Sequence, residues 1–200
     1  MTQVHLPTNG VVGTLGIGLD RDFRNTGRLS IDLALTGLEG DEYAHLERTP
    51  SPAELDVWLA WSQLAVWTRS TPADYLDARR LRWSIWHAIQ AVLTQTLVRV
   101  EDRQVIDAMA AKPPLIPQLT TESWLEPTTS QALSVIARDA IELLRDPFLA
   151  GRLRTCASDD CGVPFVDVSR PGQRRWCEDA RCGDRNRQRK HREKKRTQAS

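Results

Sequence analysis

The chain has 200 residues, of which 40% are hydrophobic and 26% are charged, a composition typical of a soluble globular protein and not of a fibrous or disordered one. This length allows one core of ordinary size and a small additional module, but not two large domains. No apolar run reaches the roughly 20 residues that a membrane span needs, and the N-terminus lacks the pattern of a signal peptide. We therefore expect a cytoplasmic protein with reduced thiols and no membrane partner.

Charge is divided unevenly along the chain. Residues 152–200 contain 14 lysines and arginines and 7 acidic residues, a net charge of +7, whereas residues 1–151 have a net charge of −6. All four cysteines also lie in the basic part. The division predicts a first domain over residues 1–150, a module over residues 151–196 that contacts a polyanion, and a short tail over residues 197–200.

The first predicted elements are short. Residues 30–37 alternate between polar and apolar side chains, which predicts a short strand. Ser51 followed by Pro52 and Glu54 is the pattern of a capped helix start, and apolar residues recur at helical spacing after it. We therefore expect a helix from residue 52 onward.

Longer helices follow. Thr71, Pro72 and Asp74 again form a helix start, and an apolar stripe predicts that this helix continues to about Val98. Two further helices are predicted, one over residues 103–111 and one that is capped by Thr129 or Ser130 and ends before Pro147. With a short extended segment at residues 118–128, the first domain is predicted to be mainly α, with room for a small β-hairpin.

Six of the seven tryptophans lie in this domain. Core packing is the favoured interpretation, because each indole buries a large apolar area. The alternative is an aromatic-lined pocket for a small-molecule effector. The residues assigned to such a pocket are Trp58, Trp83, Trp86 and His87, although His87 alone is favoured as a packed histidine.

The cysteines form two pairs, Cys156-x4-Cys161 and Cys177-x4-Cys182, separated by 15 residues. Zn²⁺ takes four ligands at the corners of a tetrahedron, and two short cysteine pairs supply four thiolates. We therefore predict a structural zinc site, with an iron–sulfur cluster as the main alternative. Disulfides are disfavoured in a reducing compartment, a redox pair usually has Cys-x-x-Cys, and four thiolates normally close a zinc site to catalysis.

The 15-residue spacer is predicted to be a hairpin. Residues 165–168 alternate, residues 170–172 form a turn, and residues 174–176 return as the second strand. Phe165 and Trp176 are then expected to form a small apolar core. A unit of this size cannot fold by apolar burial alone, so the metal is expected to be required.

A strongly basic helix is predicted to follow Cys182. Arg185, Arg189, Arg192 and Arg196 lie on one helical stripe. Joined to a zinc module, such a helix is suited to contact phosphates and base edges of nucleic acid. The predicted contact residues are Arg174, Arg175, Arg185, Arg187, Arg189, Lys190 and Arg192.

The C-terminal module resembles a CGNR-type zinc finger, through residues 152–170, 174–177 and 182–185. One position departs from that family's pattern, which has asparagine where this chain has Asp184. Aspartate cannot donate a hydrogen bond as an amide does, and it repels phosphate. The first domain resembles an ABATE domain, best over residues 134–144 and next over residues 76–82.

The resemblance implies a stress-linked bacterial transcription regulator. Together with the basic helix, it predicts a zinc-dependent DNA-binding regulator that is stress- or metabolite-responsive, with duplex DNA as its partner. A homodimer is attractive, because one module makes few base contacts. Three alternatives stay open: an RNA- or ribosome-associated protein, a protein-interaction adaptor, and an enzyme with its site in the tryptophan-rich domain. No arrangement of catalytic residues points to the enzyme.

Overall fold

The computed structural model describes residues 23, 26–37, 47–119, 123–159 and 161–198, with the backbone alone for residues 196–198. The described chain is mainly helical, as predicted. Its helices are α1 (Leu29–Ala34), α2 (Pro52–Trp61), α3 (Pro72–Leu93), α4 (Val100–Ala110), α5 (Thr129–Arg145), α6 (Pro147–Gly151) and α7 (Asp184–Gln198). Its strands are β1 (Leu153–Thr155) and β2 (Pro164–Val166), and a π-helical turn (Asp179–Gly183) leads directly into α7.

Side-chain caps begin the helices of the first domain. The Ser51 side chain accepts a hydrogen bond from the Glu54 amide at the start of α2, as the sequence predicted. At the start of α3 the Thr71 amide donates to Asp74 (2.8 Å) and the Asp74 amide donates to the Thr71 hydroxyl (3.2 Å). These reciprocal bonds satisfy amides that have no partner inside the helix. The cap of α5 is Thr128, one residue earlier than predicted.

Residues 30–37 do not form the predicted strand, because most of them belong to α1. In the helical conformation Ile31 and Leu33 are buried, and so are their polar neighbours Ser30 and Asp32. Those polar residues have partners: Ser30 donates from its amide to Asp139 (2.9 Å), and Asp32 accepts from the Thr26 amide (2.7 Å). The apparent alternation therefore reflects paired polar groups on a buried helix.

The boundaries of the next two helices also differ from the prediction. Helix α3 ends at Leu93 and does not reach Val98, because the chain turns through Gln95, whose φ is +56°. The Thr94 hydroxyl bonds the Gln90 carbonyl (2.8 Å) and satisfies one of the last acceptors of the helix. Helix α4 then begins at Val100, three residues before the predicted start.

The core of the first domain surrounds α3, which contacts α1, α2, α4 and α5. The predicted stripe of α3 is fully buried at Leu81, Ile85 and Ile89. Trp58 of α2 and Ile136 of α5 are also fully buried in this core. A small antiparallel pairing between residues 116–118 and 123–125, centred on a Pro117–Trp124 bridge, lies at its edge.

Strands β1 and β2 form an antiparallel pair in which Leu153 lies opposite Val166. The predicted spacer hairpin was therefore wrong in its pairing: β2 pairs with the strand before Cys156 and not with residues 174–176. The Arg175 carbonyl of the latter segment accepts a hydrogen bond from the Ala157 amide (2.9 Å) instead of pairing with β2. Leu153 and Val166 are buried in the core of the first domain, so the module is packed onto that domain.

Within the described residues, no helix combines the length and the apolar character needed to span a membrane.

Candidate metal centre and basic helix

The four cysteine sulfurs converge from two short segments of the module, each of which contains one cysteine pair. Cys156 follows β1, Cys161 lies in the connection to β2, Cys177 follows residues 174–176, and Cys182 lies in the π-helical turn. All four sulfurs lie within 4.8 Å of one another. The Cys161–Cys177 and Cys177–Cys182 Sγ distances are 3.6 and 3.7 Å. A tetrahedral site with Zn–S bonds of about 2.3 Å has S–S edges of about 3.8 Å, so this donor set fits a four-coordinate ion.

The cluster is enclosed and lies close to backbone amides. Cys156, Cys177 and Cys182 are buried, and Cys161 is half-buried. Burial opposes ionisation of Cys156, but hydrogen bonds from the backbone at Cys177 and Ser158 lower the pKa of its thiol overall. Burial raises the pKa of both Cys161 and Cys177, and the thiols of Cys161 and Cys156 raise the pKa of Cys177 further. Such thiols ionise together only when a cation compensates their charge.

A small apolar core supports the cluster. Phe165 is fully buried and Trp176 packs against the cysteines, as expected from the sequence. The Arg174 guanidinium lies 4.9 Å from the centroid of the Phe165 ring and donates to the carbonyls of Trp176 (2.8 Å) and Cys177. Arg174 was predicted to contact nucleic acid, but in this structure it is used within the module.

Asp167 is a buried carboxylate that the sequence analysis did not single out. It accepts hydrogen bonds from the Ser169 hydroxyl (2.6 Å), the Ser169 amide (3.0 Å) and the Arg174 amide (2.8 Å). The bond from the Ser169 hydroxyl is the largest of the effects that lower the pKa of Asp167. The carboxylate holds the turn between β2 and the second cysteine pair.

The first turns of α7 are fixed to the cysteine cluster by Asn186, which is 4% exposed. Its Nδ2 donates to the Ser158 hydroxyl (2.8 Å) and to the carbonyl of the cluster residue Cys182 (2.9 Å). Its Oδ1 accepts from Arg189 (2.7 Å), which also pairs with Asp159 (2.7 Å). The direction of the helix is therefore set by the cluster.

Two other predicted contact residues interact within the module. Arg187 pairs with Asp179 (3.1 Å) in the π-helical turn and with Asp184 (2.5 Å) at the start of α7. The hydrogen bonds from Arg187 lower the pKa of Asp179. Arg185 is exposed, and its Nη2 lies 3.6 Å from the sulfur of Cys182. Both arginines therefore lie beside the cluster.

The remaining predicted contacts are exposed. Lys190 and Arg192 lie on the part of α7 in which every residue from 190 to 195 is exposed. Arg175 is exposed and stacks over the Trp176 ring, 5.1 Å from its centroid. From residue 190 to residue 195, α7 thus presents exposed and mainly charged side chains all round its axis.

The four residues assigned to an aromatic pocket lie in different environments. Trp58 is fully buried in the core, Trp83 and Trp86 are half-buried on α3, and His87 lies 3.3 Å from Asp102. A cleft in the described part of the domain has essentially no enclosed space, even for a molecule the size of water. The residues that line it are Leu33, Thr36, Thr49, Leu55, Tyr75, Ala78, Arg79 and Arg82. The aromatic pocket stays a prediction.

Two family models match the chain on either side of residue 150. The model for the CGNR zinc finger matches residues 152–195, which include the four cysteines and most of α7. The ABATE model, described as "Putative stress-induced transcription regulator", matches residues 27–147, more than half of the chain. The chain belongs to the ABATE family. The two matches confirm that this ABATE protein has the predicted ABATE domain followed by the predicted CGNR zinc finger. No curated protein matches the chain significantly.

Proposed function

We propose that this ABATE protein is a zinc-dependent transcription regulator that binds duplex DNA through α7. One observation carries the proposal: a basic helix is fixed at its first turns to a four-cysteine cluster and is exposed from residue 190 to residue 195. The family matches support a regulator in general. DNA as the target and zinc as the metal are steps beyond those matches.

Zinc is the ion that the donor set favours. Four thiolates at tetrahedral spacing select zinc or iron–sulfur chemistry, and a CGNR zinc finger is the matching family. Cys156, Cys161, Cys177 and Cys182 would fill all four coordination positions of the ion, so the ion would be structural. Its task would be to hold β2, the π-helical turn and α7 in one arrangement.

The charge of α7 supports a polyanionic partner. The helix contains eight lysines and arginines against two acidic residues, a net charge of +6. A helix that is polar all round gains little from packing on its own protein and needs other stabilisation. Phosphates of nucleic acid supply it, because each lysine or arginine that neutralises a phosphate releases a condensed counterion. An α-helix also fits the major groove of duplex DNA.

The first domain is assigned the regulatory role. Its well-packed helical core and the family match support signal reception or assembly, including a homodimer or a small-molecule effector. We place the protein in the cytoplasm, where DNA and reduced thiols occur together. The closed cysteine set offers no open coordination position for catalysis, which supports a binding protein over an enzyme.

The test is a titration of zinc-loaded full-length protein against random duplex DNA and folded RNA at two salt concentrations. We expect preferential duplex binding, with log affinity falling by about 0.9 per neutralised phosphate as log salt rises. Zinc content should be one ion per chain, and an iron–sulfur cluster would be seen by its colour. A preference for folded RNA would favour the RNA-associated alternative, and absence of binding to either would favour the adaptor.

A double variant assigns the interface to α7. Lys190→Ala with Arg192→Ala should weaken duplex binding and reduce the salt slope by about two, because two phosphate contacts are lost. Arg80→Ala, at an exposed arginine on α3, is the matched control and should leave both quantities unchanged. Equal effects of the two changes would exclude α7 as the binding element.

A further inference from the structure

The contacts of Asn186 define which side of α7 faces the protein. Asn186 is buried against Ser158 and Cys182, and Arg189 is directed to the same side by its bonds to Asn186 and Asp159. An α-helix turns by about 100° per residue, so the opposite side is about 180° away. In a helix that enters a groove, that opposite side is the one that can approach the base edges.

Gln188 and Lys195 lie on this opposite side, at about 200° and about 180° from Asn186. Both are exposed. Basic residues flank them: Arg185 and Arg192 lie at about 250° on one side, and Lys194 lies at about 80° on the other. The helix thus has a central strip with cations on both sides, which matches a groove bounded by phosphates on each edge.

Gln188 differs chemically from the other residues of this surface. Between residues 185 and 196 the uncharged side chains are Asn186, Gln188 and His191, and Asn186 is buried in the module. The Gln188 amide presents a donor and an acceptor side by side, whereas the two nitrogens of His191 point in different directions. A side-by-side donor and acceptor matches N7 and the N6 amino group of adenine in the major groove.

We propose that Gln188 is the specificity-determining residue of α7 and that it selects adenine at one position of the DNA site. This inference rests on the proposed DNA-binding function. The lysines and arginines beside it hold the helix on the phosphates, which carry no base sequence, while Gln188 contributes the base preference. Its position two residues after the buried Asn186 places it on the part of α7 that the cysteine cluster orients.

The experiment is selection of bound sequences from a random duplex pool by the zinc-loaded full-length protein, repeated with Gln188→Ala. The wild-type protein should enrich sites with an adenine that the variant no longer selects. On the enriched duplex, Gln188→Ala should bind about tenfold more weakly, and on a scrambled duplex it should bind equally well. Lys194→Ala is the comparison, since Lys194 is one of the flanking cations and loss of its phosphate contact should weaken binding to both duplexes alike.

A second variant gives a change of preference in place of a loss. Gln188→Arg should replace adenine by guanine at the same position, because arginine pairs with O6 and N7 of guanine. Zinc content and helical circular dichroism should match the wild type in both variants, since Gln188 is exposed.

The outcomes separate this inference from the proposed function. If Gln188→Ala keeps the wild-type preference at every position, the inference is wrong and DNA binding stands. If the wild type binds duplex DNA but enriches no sequence, the inference is again wrong while DNA binding stands. If the wild type does not bind duplex DNA, the proposed function fails and the inference fails with it.

Discussion

Replacement of Asn186 by alanine should detach α7 from the cysteine cluster. The Asn186 amide donates two buried hydrogen bonds, to the Ser158 hydroxyl (2.8 Å) and the Cys182 carbonyl (2.9 Å). Each is worth about 0.5–1.5 kcal/mol net, which gives about 2 kcal/mol for the pair. Loss of the bond from the half-exposed Arg189 adds little to this destabilisation. The higher helix propensity of alanine reduces the destabilisation by about 0.5 kcal/mol. We expect α7 to be destabilised by about 1.5–2 kcal/mol.

Hydrogen exchange of the zinc-loaded protein, followed by mass spectrometry, measures this change directly. A loss of about 1.5–2 kcal/mol raises the open population of α7 by about 10–30-fold, and exchange of its amides should accelerate by that factor. The amides of α3 and α5 should be unchanged, because neither helix contacts Asn186.

Gln188→Ala is the matched control, since it removes an amide of similar chemistry from the exposed side of the same helix. It should alter exchange in α7 by less than about 0.5 kcal/mol. If Asn186→Ala and Gln188→Ala have the same effect, the buried hydrogen bonds do not hold the helix, and the orientation argument for α7 is refuted.

Three further predictions concern charge, pH and metal. Asp184→Asn removes a negative charge beside Arg187 and should tighten duplex binding by about 1 kcal/mol, or about fivefold at low salt. A DNA titration in which the variant binds equally well or more weakly would contradict this prediction. Burial raises the pKa of Asp32 to about 6, so the folded protein binds more protons than the unfolded chain between about pH 4 and pH 6, and stability from this group falls as pH rises through that window. Asp32→Asn should therefore be more stable than the wild type at pH 7.5 by up to about 3 kcal/mol, and this difference should disappear near pH 4. Denaturant unfolding at a series of pH values measures the difference. A difference that stays constant with pH would exclude the Asp32 carboxyl as its source. Removal of the metal by a chelator should unfold the module and lower the unfolding temperature of the first domain, because β1 and β2 contribute to both cores; an unchanged domain transition in calorimetry would argue against this coupling.

The features that could be predicted from the sequence are those that depend on neighbouring residues. The caps at Ser51 and Thr71 act over three residues, so the local sequence contains all the partners they need. The paired spacing of the cysteines likewise signals a common site, because each pair lies in one tight turn. Their convergence within 4.8 Å agrees with that expectation.

The wrong prediction of a strand over residues 30–37, most of which belong to α1, has a different origin. Five consecutive residues of α1 are buried, so this short helix has no exposed side and shows no helical periodicity that would distinguish it from an alternating strand. Partners far away in the sequence decide the outcome. Ser30 bonds to Asp139, 109 residues later, and Arg28 pairs with the same carboxylate (3.0 Å). No local signal contains this information.

The anchor of α7 could not be recognised for a similar reason. Asn186 is one polar residue in a basic run, and helical periodicity among charged residues gives no buried side. Its burial depends on Ser158, which the cysteine cluster brings close although it lies 28 residues earlier. The sequence therefore predicted the arginine stripe without indicating which side of α7 faces the protein. The burial of Asn186 identifies that side.

The two-stranded sheet explains why the metal module and the ABATE domain form one unit. Directly opposite residues of an antiparallel pair share a face, so Leu153 and Val166 lie on one face while Phe165 lies on the other. The first face is buried in the core of the ABATE domain and the second in the core beside the cysteines. Leu35, at the end of α1, contacts both cores. A shift of α1 or α3 would therefore displace the sheet and, with it, the cluster that orients α7. The fold thus provides a short, continuous packing path between the ABATE domain, for which we propose a regulatory role, and α7, for which we propose DNA binding.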